Sequence, residues 1–447
     1  MTKEAFITAV REAGIVGEGG AGFPAHVKYA ASADTVIANG CECEPLLHTD
    51  WRHMAHHARD IARALAGLAS ATGAQRGIFA LKSKQRALIP LVREACGSFG
   101  LEMALLDDFY PAGDEQILVR ELTGRSAPPL GIPLHVGCIV ANVGTLLSVD
   151  AAVQHGRPVT HKRLTVTGEV QRPGIVRAPL GAAMSACLAV AGGALVKDAV
   201  FVLGGPMMGR VVVGEQALER EVVTKTSGGL IVLPGGHPLH LNAVQSLESM
   251  RRRAASACIQ CRACSDLCPR MLIGHPFETH NVMRAFGSGA ELESEAGKQA
   301  HLCCECGVCE QYACPMQLSP RRINQAVKAA LRAANVIYDG SRELREELGV
   351  WRAWRKIPVQ RLAGRLGIAR YMPLETPDLG EAAPATVRIP LRQHLGAPAE
   401  ALIKPGDRVR VGQCIGGIPE KGLGARIHAS LDGTVTAVDS AVTIQAG

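Results

Sequence analysis

A chain of 447 residues is about three times the usual length of one domain, so we expect two to four domains. Hydrophobic residues make up 47% of the chain and charged residues 20%, which excludes general disorder and provides for several apolar cores. The net charge of +7 is spread along the chain and aromatic residues make up only 4%, so a dedicated nucleic-acid-binding protein is not expected.

The first part of the chain alternates apolar runs of strand length with helical runs. Strands are predicted at residues 34–38, 77–81 and 137–142, and an amphipathic helix at residues 54–71. Because this order is typical of βαβ units, residues 1–155 are predicted to form a Rossmann-like α/β domain. Its ligands are expected at the carboxyl ends of the strands.

The next segment, residues 160–236, has a different pattern. Short apolar runs at residues 164–170, 199–203 and 229–233 surround one helical stretch at residues 184–191. This pattern predicts a small β-grasp-like α+β domain.

Three further segments complete the chain. Residues 245–335 contain a dense group of cysteines between helical flanks, including one at residues 320–334. Residues 336–384 are predicted to form a helical basic linker, which we interpret as a solvated helix or, alternatively, as a docking surface for a partner. Residues 385–447 alternate short strands with turns, which predicts a small β sandwich or barrel. The fold class is therefore multidomain, α/β and α+β.

The chain carries no targeting or membrane signal. It has no run of about 18 or more apolar residues, and its N-terminus lacks the apolar core of a signal peptide. We therefore expect a cytoplasmic protein that is not an integral membrane protein.

Nine of the fifteen cysteines lie in one short segment. In a reducing compartment such a density indicates metal binding rather than disulfides. Two runs share the Cys-x2-Cys-x2-Cys spacing of bacterial ferredoxins, each with a fourth cysteine followed by proline. The first run consists of Cys258, Cys261, Cys264 and Cys268. The second, with one extra residue before its last cysteine, consists of Cys303, Cys306, Cys309 and Cys314.

The spacing also predicts how the two runs share their ligands. In two-cluster ferredoxins the fourth cysteine of one run binds the cluster of the other run. We therefore expect Cys314 to complete the set of Cys258, Cys261 and Cys264, and Cys268 to complete the other set. Cys304 is out of register and is expected to be a bystander. The alternative is structural zinc, which is typically bound by two separated Cys-x2-Cys pairs.

A glycine-rich loop follows the first helical run. Gly17, Gly19, Gly20 and Gly22 would let backbone N–H groups approach a phosphate or a ring system closely, and Lys28 could neutralise a phosphate. The loop follows a helix rather than a strand, which departs from the usual dinucleotide-binding fingerprint. A purely structural turn is the alternative.

Four segments resemble those of a known superfamily. The string GEGGAGFPAHVK resembles the flavin-binding loop shared by the NADH-oxidising flavoprotein subunit of respiratory complex I and the RnfC subunit of the Rnf electron-transport complex. Residues 39–45, 110–115 and 142–145 resemble the next three signatures, with Cys41 in place of an Asp and Ala141 in place of an Asn. The resemblance implies FMN-binding residues at Gly17, Gly19, Gly20, Gly22, Lys28, Asn39, Glu42, Tyr110, Gly113, Asp114, Asn142 and Thr145. It implies that Phe23, Glu44 and Glu115 face NADH.

The remaining modules resemble parts of the same proteins. The middle module is similar to the soluble-ligand-binding β-grasp (SLBB) domain, and the last is similar to a lipoyl-type barrel-sandwich hybrid. Lys421 lies in Glu-Lys-Gly, not in the turn of true lipoyl domains, and is expected to be a surface residue. With the flavin segment first and the barrel-sandwich module last, the order resembles the cobalamin reductases of bacterial propanediol-utilisation microcompartments.

This resemblance implies an NADH-dependent oxidoreductase that uses FMN and two 4Fe–4S clusters to reduce cobalamin. A flavin accepts an electron pair and releases single electrons, so no side-chain nucleophile or general base is required. The implied partners are cobalamin or a cobalamin adenosyltransferase, and microcompartment shell proteins or enzymes. Three alternatives stay open: an RnfC-type subunit of a ferredoxin:NAD oxidoreductase, an electron donor to a glycyl-radical activase, and a scaffold without activity.

Overall fold

A computed structural model describes residues 1–20, 22–420 and 422–447. Ala21 of the glycine-rich loop and Lys421, expected to be a surface residue, therefore lie outside the described residues. The multidomain α/β and α+β fold is confirmed: a parallel sheet, a mixed sheet, a helical cysteine-rich segment and a small β barrel follow one another. Among the described helices, none combines the length and the apolar character needed to cross a membrane.

The first segment is a parallel four-stranded sheet between helices. Its strand order is β3-β2-β1-β5, with β1 parallel to both of its neighbours. The chain leaves β1 toward β2 on one side and returns to β5 on the other, so the crevice at the carboxyl ends of β1 and β5 is the expected ligand position. The elements are α1 (Lys3–Glu12), α2 (Ala25–Ala30), β1 (Thr35–Gly40), α3 (Thr49–Thr72), β2 (Arg76–Lys82), α4 (Ile89–Phe99), β3 (Glu102–Leu106), β4 (Phe109–Tyr110), α5 (Glu115–Thr123), β5 (Cys138–Asn142) and α6 (Val143–His155).

The inner strands of this sheet are apolar because both of their faces are covered. Val36, Ile37 and Ala38 of β1 have no measurable exposure to solvent. Side chains of α3, α4 and α6 fill one face of the sheet, and α5 fills the other. A parallel strand that is buried on both faces has a continuous run of apolar residues in its sequence. The sequence alone therefore located β1, β2 and β5.

The second segment is a six-stranded mixed sheet. Its order places a late strand, Asp378–Glu381, at one edge beside β7, followed by β6, β10, β8 and β9. A β-grasp-like α+β fold is therefore present where it was predicted. Its elements are β6 (His161–Gly168), β7 (Gly174–Pro179), α7 (Met184–Val190), β8 (Ala199–Leu203), β9 (Arg210–Val213), α8 (Glu215–Arg220) and β10 (Gly229–Pro234).

The third segment is helical, and both cysteine runs lie in its short helices and in the turns between them. A π-helical turn, Val308–Ala313, carries Cys309. Met250, Phe277 and Ile323 belong to its apolar core. Its helices are α9 (Pro238–Ala243), α10 (Leu247–Ala257), α11 (Ala263–Asp266), α12 (Pro269–Leu272), α13 (Thr279–Ser288), α14 (Glu295–Lys298) and α15 (Pro320–Ala333).

The basic linker, predicted to be helical, contains short helices separated by extended segments. It contains α16 (Arg352–Arg355), β11 (Ile357–Pro358), α17 (Val359–Leu366) and β12 (Asp378–Glu381), and β11 pairs with β4 of the first segment. Pro358 cannot continue a helix, and Gly367 ends α17 in a left-handed conformation (φ 74°).

Basic side chains of the linker form ion pairs with acidic side chains of other segments. Arg352 and Lys356 both pair with Glu121 of α5, at 2.6 and 3.0 Å. Arg370 pairs with Glu169 at 2.6 Å. The linker is therefore tied to the first two segments by ion pairs.

The last segment is a small two-sheet β barrel, as predicted. One sheet has the order β13-β19-β18-β15, and the other has the order β14-β16-β17. Ser430 donates a 2.6 Å hydrogen bond to the Leu180 carbonyl, which holds the barrel against the β-grasp-like segment. The strands are β13 (Thr386–Pro390), β14 (Glu400–Ala401), β15 (Arg408–Val409), β16 (Cys414–Gly417), β17 (Ile427–His428), β18 (Gly433–Val438) and β19 (Ala441–Ala446).

Candidate functional site

The glycine-rich loop closes on itself beside open space. The Gly17 N–H donates to the Phe23 carbonyl at 2.8 Å, and the Gly22 N–H donates to the Gly17 carbonyl at 3.1 Å. Gly20 has φ of 114°, which side-chain-bearing residues rarely adopt. A Cβ on Gly20 would meet no atom within 4 Å. The backbone of the loop is therefore accessible to a ligand.

The loop faces the N-terminus of α6. Asn142, the last residue of β5, caps this helix: its Oδ1 accepts from the Gly144 N–H at 2.7 Å, and its Nδ2 donates to Asp50 at 2.8 Å. The Thr145 hydroxyl accepts from the Glu18 N–H at 2.9 Å. A helix N-terminus opposite a glycine-rich loop favours a phosphate. The residues present therefore fit the phosphate end of FMN.

Two other signatures of the flavin-domain resemblance meet at the end of β1. The Asn39 Nδ2 donates to the Gly113 carbonyl at 2.9 Å, and the Cys41 N–H donates to Asn39 Oδ1 at 3.1 Å. A Cβ on Gly113 would lie 2.6 Å from the Cys41 carbonyl oxygen and 3.2 Å from Cys43 Sγ. Glycine is thus required at position 113 for this close approach.

Lys28 and Glu115 contact each other. Their ion pair is 2.8 Å long, with both side chains partly exposed. Glu115 is the first residue of α5, and Lys28 lies on α2. Lys28 is expected to bind FMN and Glu115 to face NADH. The two residues therefore lie side by side at the mouth of the crevice.

Glu44 is buried against the β-grasp-like segment. Its carboxylate accepts hydrogen bonds of 2.9 Å from the N–H groups of Met207 and of Met208. Burial raises the pKa of Glu44 to about 7, although these two N–H donors oppose the rise. A Cβ on Gly205 would collide with the Glu44 carboxylate, so glycine at position 205 allows this close approach.

Glu42 is another buried acid of the same loop. Burial raises its pKa well above the ordinary value, and the neighbouring Asp50 and Glu44 raise it further. Asp50 itself has a pKa raised to about 6, mainly by burial. Glu42, Glu44 and Asp50 therefore keep their protons to a higher pH than ordinary carboxyl groups do.

One set of thiols lines a small cavity. Cys258, Cys261, Cys264 and Cys314 all border it. Burial raises the pKa of the Cys264 thiol to about 12, and Cys314, Cys258 and Cys261 lie close enough to raise it further. The fourth cysteine of the second run is thus beside three cysteines of the first, which is the arrangement expected from the ferredoxin spacing.

The other set of thiols is almost completely buried. Cys309 is surrounded by Cys303 and Cys268 among other groups, and burial is the largest cause of its raised pKa. Cys268 and Cys309 also influence the pKa of the Cys306 thiol. Eight thiols in two groups of four are the donor set that two 4Fe–4S clusters require, so the residues fit these groups.

Cys304 lies beside this buried set. Its thiol contacts that of Cys306, and this hydrogen bond is the largest cause of a pKa lowered to about 7. It was expected to be a bystander, and this stays a prediction. Within residues 1–20, 22–420 and 422–447, no three His, Cys, Asp or Glu side chains are arranged to hold a single metal ion.

Residues next to the buried thiol set contact the flavin signatures. The Tyr110 hydroxyl donates to the Cys306 carbonyl at 2.7 Å in a buried position. The Arg270 guanidinium, two residues after Cys268, donates to both oxygens of Asp114 at 3.0 and 2.9 Å. The two predicted cofactor regions are therefore neighbours.

Sequence reasoning missed three residues of this site. Arg270 could have been noticed, since it directly follows the Cys268-Pro269 pair. Glu18, buried in the glycine loop, pairs with Lys162 and accepts from the Ser148 hydroxyl at 2.9 Å. No sequence signal links Lys162 to that loop, because the contact joins segments more than a hundred residues apart.

Four known domain families match the chain in the predicted order. The Nuo51 FMN-binding domain matches residues 10–151, and the SLBB domain matches residues 163–211. A 4Fe-4S dicluster domain matches residues 257–319. The RnfC barrel sandwich hybrid domain matches residues 378–447.

Curated relatives match nearly the whole chain. The chain is 43% identical to the cobalamin reductase PduS of Salmonella typhimurium, over 98% of this chain and 96% of the relative. It is 41% identical to that of Citrobacter freundii, with the same coverage. One subunit of the ion-translocating oxidoreductase complex of Erwinia tasmaniensis is 33% identical over 60% of this chain and 32% of the relative.

A solved structure shares the fold. An NAD+-reducing [NiFe]-hydrogenase in the H2-reduced state superimposes with a TM-score of 0.51, at 21% identity, over 74% of this chain and 66% of that chain. At this identity the likeness concerns the fold alone.

Proposed function

The chain belongs to the PduS family of cobalamin reductases, and from this membership we propose that it uses NADH, FMN and two 4Fe–4S clusters to reduce cobalamin. One observation carries the proposal: the flavin signatures contact the chain segments that carry the second set of four thiols, through Tyr110 to the Cys306 carbonyl and through Asp114 to Arg270. A hydride donor and one-electron carriers need a flavin between them, and this contact brings the two regions together.

The chain's own residues bind and orient the cofactors. FMN, when bound, supplies the exchange between an electron pair and single electrons. In our proposal the N–H groups of the glycine loop and the N-terminus of α6 hold its phosphate, with Lys28 as a nearby cation. Asn39, Glu42, Tyr110, Gly113, Asp114, Asn142 and Thr145 line the rest of its site. Phe23, Glu44 and Glu115 face the nicotinamide nucleotide.

The two thiol sets are proposed to have separate roles. Cys268, Cys303, Cys306 and Cys309 hold the cluster next to the flavin, because they are buried against Tyr110 and Asp114. Cys258, Cys261, Cys264 and Cys314 hold the cluster nearer the surface, where Cys261 is exposed. The acceptor is then reduced at the exposed end.

The proposal includes the division of the chain and its cellular place. Residues 1–155 bind FMN and NADH, residues 160–236 form the SLBB domain, and residues 245–335 hold the clusters. Residues 336–384 form the linker that leads to the barrel-sandwich domain, which consists of residues 385–447. We place the protein in the cytoplasm, inside a microcompartment, beside a cobalamin adenosyltransferase.

The proposal is tested by comparing the rates at which the protein reduces two acceptors. Protein purified without oxygen is analysed for iron, sulfide and FMN, and then mixed with NADH and either oxidised cobalamin or ferredoxin. We expect both cofactor types and faster reduction of cobalamin. Preference for ferredoxin would favour an Rnf-like role, which the partial match to the Rnf-type subunits makes the second candidate. A preparation without iron or flavin would contradict both.

A further inference from the structure

Arg270 occupies a buried position between the flavin signatures and the second thiol set. Only 9% of its surface is exposed, although arginine is rarely buried unless it is paired. It lies on α12 directly after the Cys268-Pro269 pair. Its guanidinium donates two hydrogen bonds to Asp114 and a third to Gln116 Oε1 at 2.8 Å.

The same guanidinium also lies beside sulfur atoms. Burial alone would lower the pKa of Arg270, but Asp114 and then the thiols of Cys304, Cys306 and Cys268 raise it above the ordinary value. The positive charge therefore lies near both a carboxylate and a group of thiols. It is permanently charged, because an arginine is not deprotonated in proteins.

The fixed, buried charge of Arg270 changes the electron affinity of a nearby cluster. Adding an electron to a cluster increases its negative charge, and a nearby cation stabilises the reduced form more than the oxidised form. The Asp114 carboxylate has the opposite effect. Since the Arg270 side chain is 10% exposed and that of Asp114 only 20%, each charge has a stronger influence than it would at the surface.

We propose that Arg270 is a positioning residue that raises the reduction potential of the cluster held by Cys268, Cys303, Cys306 and Cys309. It also holds the Gly113–Glu115 signature against that cluster through Asp114. The inference rests on the proposed function, since it takes these four thiolates as ligands. Arg270 thereby makes electron transfer from the reduced flavin to the flavin-side cluster more favourable.

Redox titration of the full-length protein tests this inference. The reduction of each cluster is followed by electron paramagnetic resonance and visible absorbance in anaerobic wild type, Arg270→Gln and Arg270→Lys. We expect Arg270→Gln to lower the reduction equilibrium constant of one cluster at least tenfold, or about 59 mV for a one-electron couple. Arg270→Lys keeps the charge and should shift the constant less.

Two further variants separate an electrostatic role from a structural one. Asp114→Asn removes the opposing negative charge, so it should raise the potential of the same cluster. Arg262 is an exposed arginine that pairs with Glu278 at 2.7 Å beside the other thiol set, and Arg262→Gln should leave the flavin-side cluster unchanged. If Arg270→Gln loses the flavin-side cluster, the titration of Asp114→Asn decides whether charge at this place sets the potential of that cluster. A raised potential supports the inference, and an unchanged or lowered one overturns it.

The outcomes distinguish this inference from the proposed function. Opposite shifts in Arg270→Gln and Asp114→Asn would support it. Unchanged potentials in variants with full iron content, or shifts of the same sign, would overturn it. Wild-type protein that contains no iron would instead contradict the proposed function itself.

Discussion

The Tyr110 hydroxyl donates a buried 2.7 Å hydrogen bond to the carbonyl oxygen of Cys306, and so joins the flavin segment to the cysteine-rich segment. The two residues are far apart in the sequence, yet each belongs to a signature predicted to bind a cofactor. Electron transfer between two cofactors requires that their binding regions be held close together. This hydrogen bond is therefore the structural relationship on which the proposed relay depends most directly.

Removal of this hydrogen bond should slow electron transfer without affecting hydride transfer. Tyr110→Phe keeps the ring and leaves the buried Cys306 carbonyl without its donor, at a cost of about 1–3 kcal/mol. In anaerobic stopped-flow mixing with NADH, we expect an unchanged rate of flavin bleaching and slower bleaching of the clusters. Tyr371→Phe is the matched control, because its hydroxyl binds Glu169 away from the thiols. Equal rates of cluster bleaching in wild type, Tyr110→Phe and Tyr371→Phe would argue against a role for this contact.

Loss of one exposed thiolate should remove one cluster only. Cys261→Ser should lose about half of the iron, because the set that shares its cavity loses a ligand and the other set stays complete. Reduction of the flavin by NADH should persist, and reduction of cobalamin should stop. Cys414→Ser, in the barrel, serves as the control and should keep all of the iron. Loss of flavin reduction in Cys261→Ser would contradict the separate roles of the two regions.

A single methyl group at position 113 should weaken FMN binding. In Gly113→Ala the new Cβ would lie 2.6 Å from the Cys41 carbonyl oxygen, so two backbone segments of the crevice must move apart. Overpacking of this kind costs about 1–3 kcal/mol, and we expect a lower FMN content with iron unchanged. Gly97→Ala is the control, since a Cβ at that exposed position in α4 meets no atom within 4 Å. Normal FMN content in Gly113→Ala would show that this approach is not needed.

The buried carboxyl of Glu44 should make stability depend on pH. Burial raises its pKa from 4.5 to about 7, so the folded protein binds more protons than the unfolded chain between these values. The contribution of Glu44 to stability therefore falls as pH rises from about 4.5 to about 7, and then stays constant. Glu44→Gln cannot ionise and should lack this decrease.

Thermal unfolding midpoints measured across this pH range check the prediction. The difference between wild type and Glu44→Gln should change steadily from pH 4.5 to about pH 7. The exposed Glu343→Gln serves as the control and should follow the wild type. A constant difference between wild type and Glu44→Gln would mean that Glu44 does not titrate in this range.

Local patterns made much of the fold predictable. The strands β1, β2 and β5 are buried runs, and the cysteine spacing alone indicated that Cys314 should lie beside Cys258, Cys261 and Cys264. These features depend on neighbouring residues or on a spacing that the ligand geometry fixes. The resemblance to the Nuo51-type flavin domain supplied the residues of the crevice, which no pattern of charge or hydropathy would have selected.

Contacts between segments were not predictable. Nothing near Glu44 in the sequence indicates that Met207 and Met208 supply its hydrogen-bond donors, and nothing near Asp114 indicates Arg270. The linker was expected to be a solvated helix or, alternatively, a docking surface for a partner. Its partners, Glu121 and Glu169, come from other segments, so only the folded chain reveals how its charges are compensated.

The most direct test of the proposed relay is a single anaerobic mixing experiment with NADH that monitors flavin and iron–sulfur absorbance in the same sample. We predict that the flavin bleaches first and the clusters then bleach at the expense of reduced flavin, until added cobalamin restores the oxidised spectrum. Protein with intact flavin and intact clusters whose clusters stay oxidised after the flavin is reduced would contradict the relay.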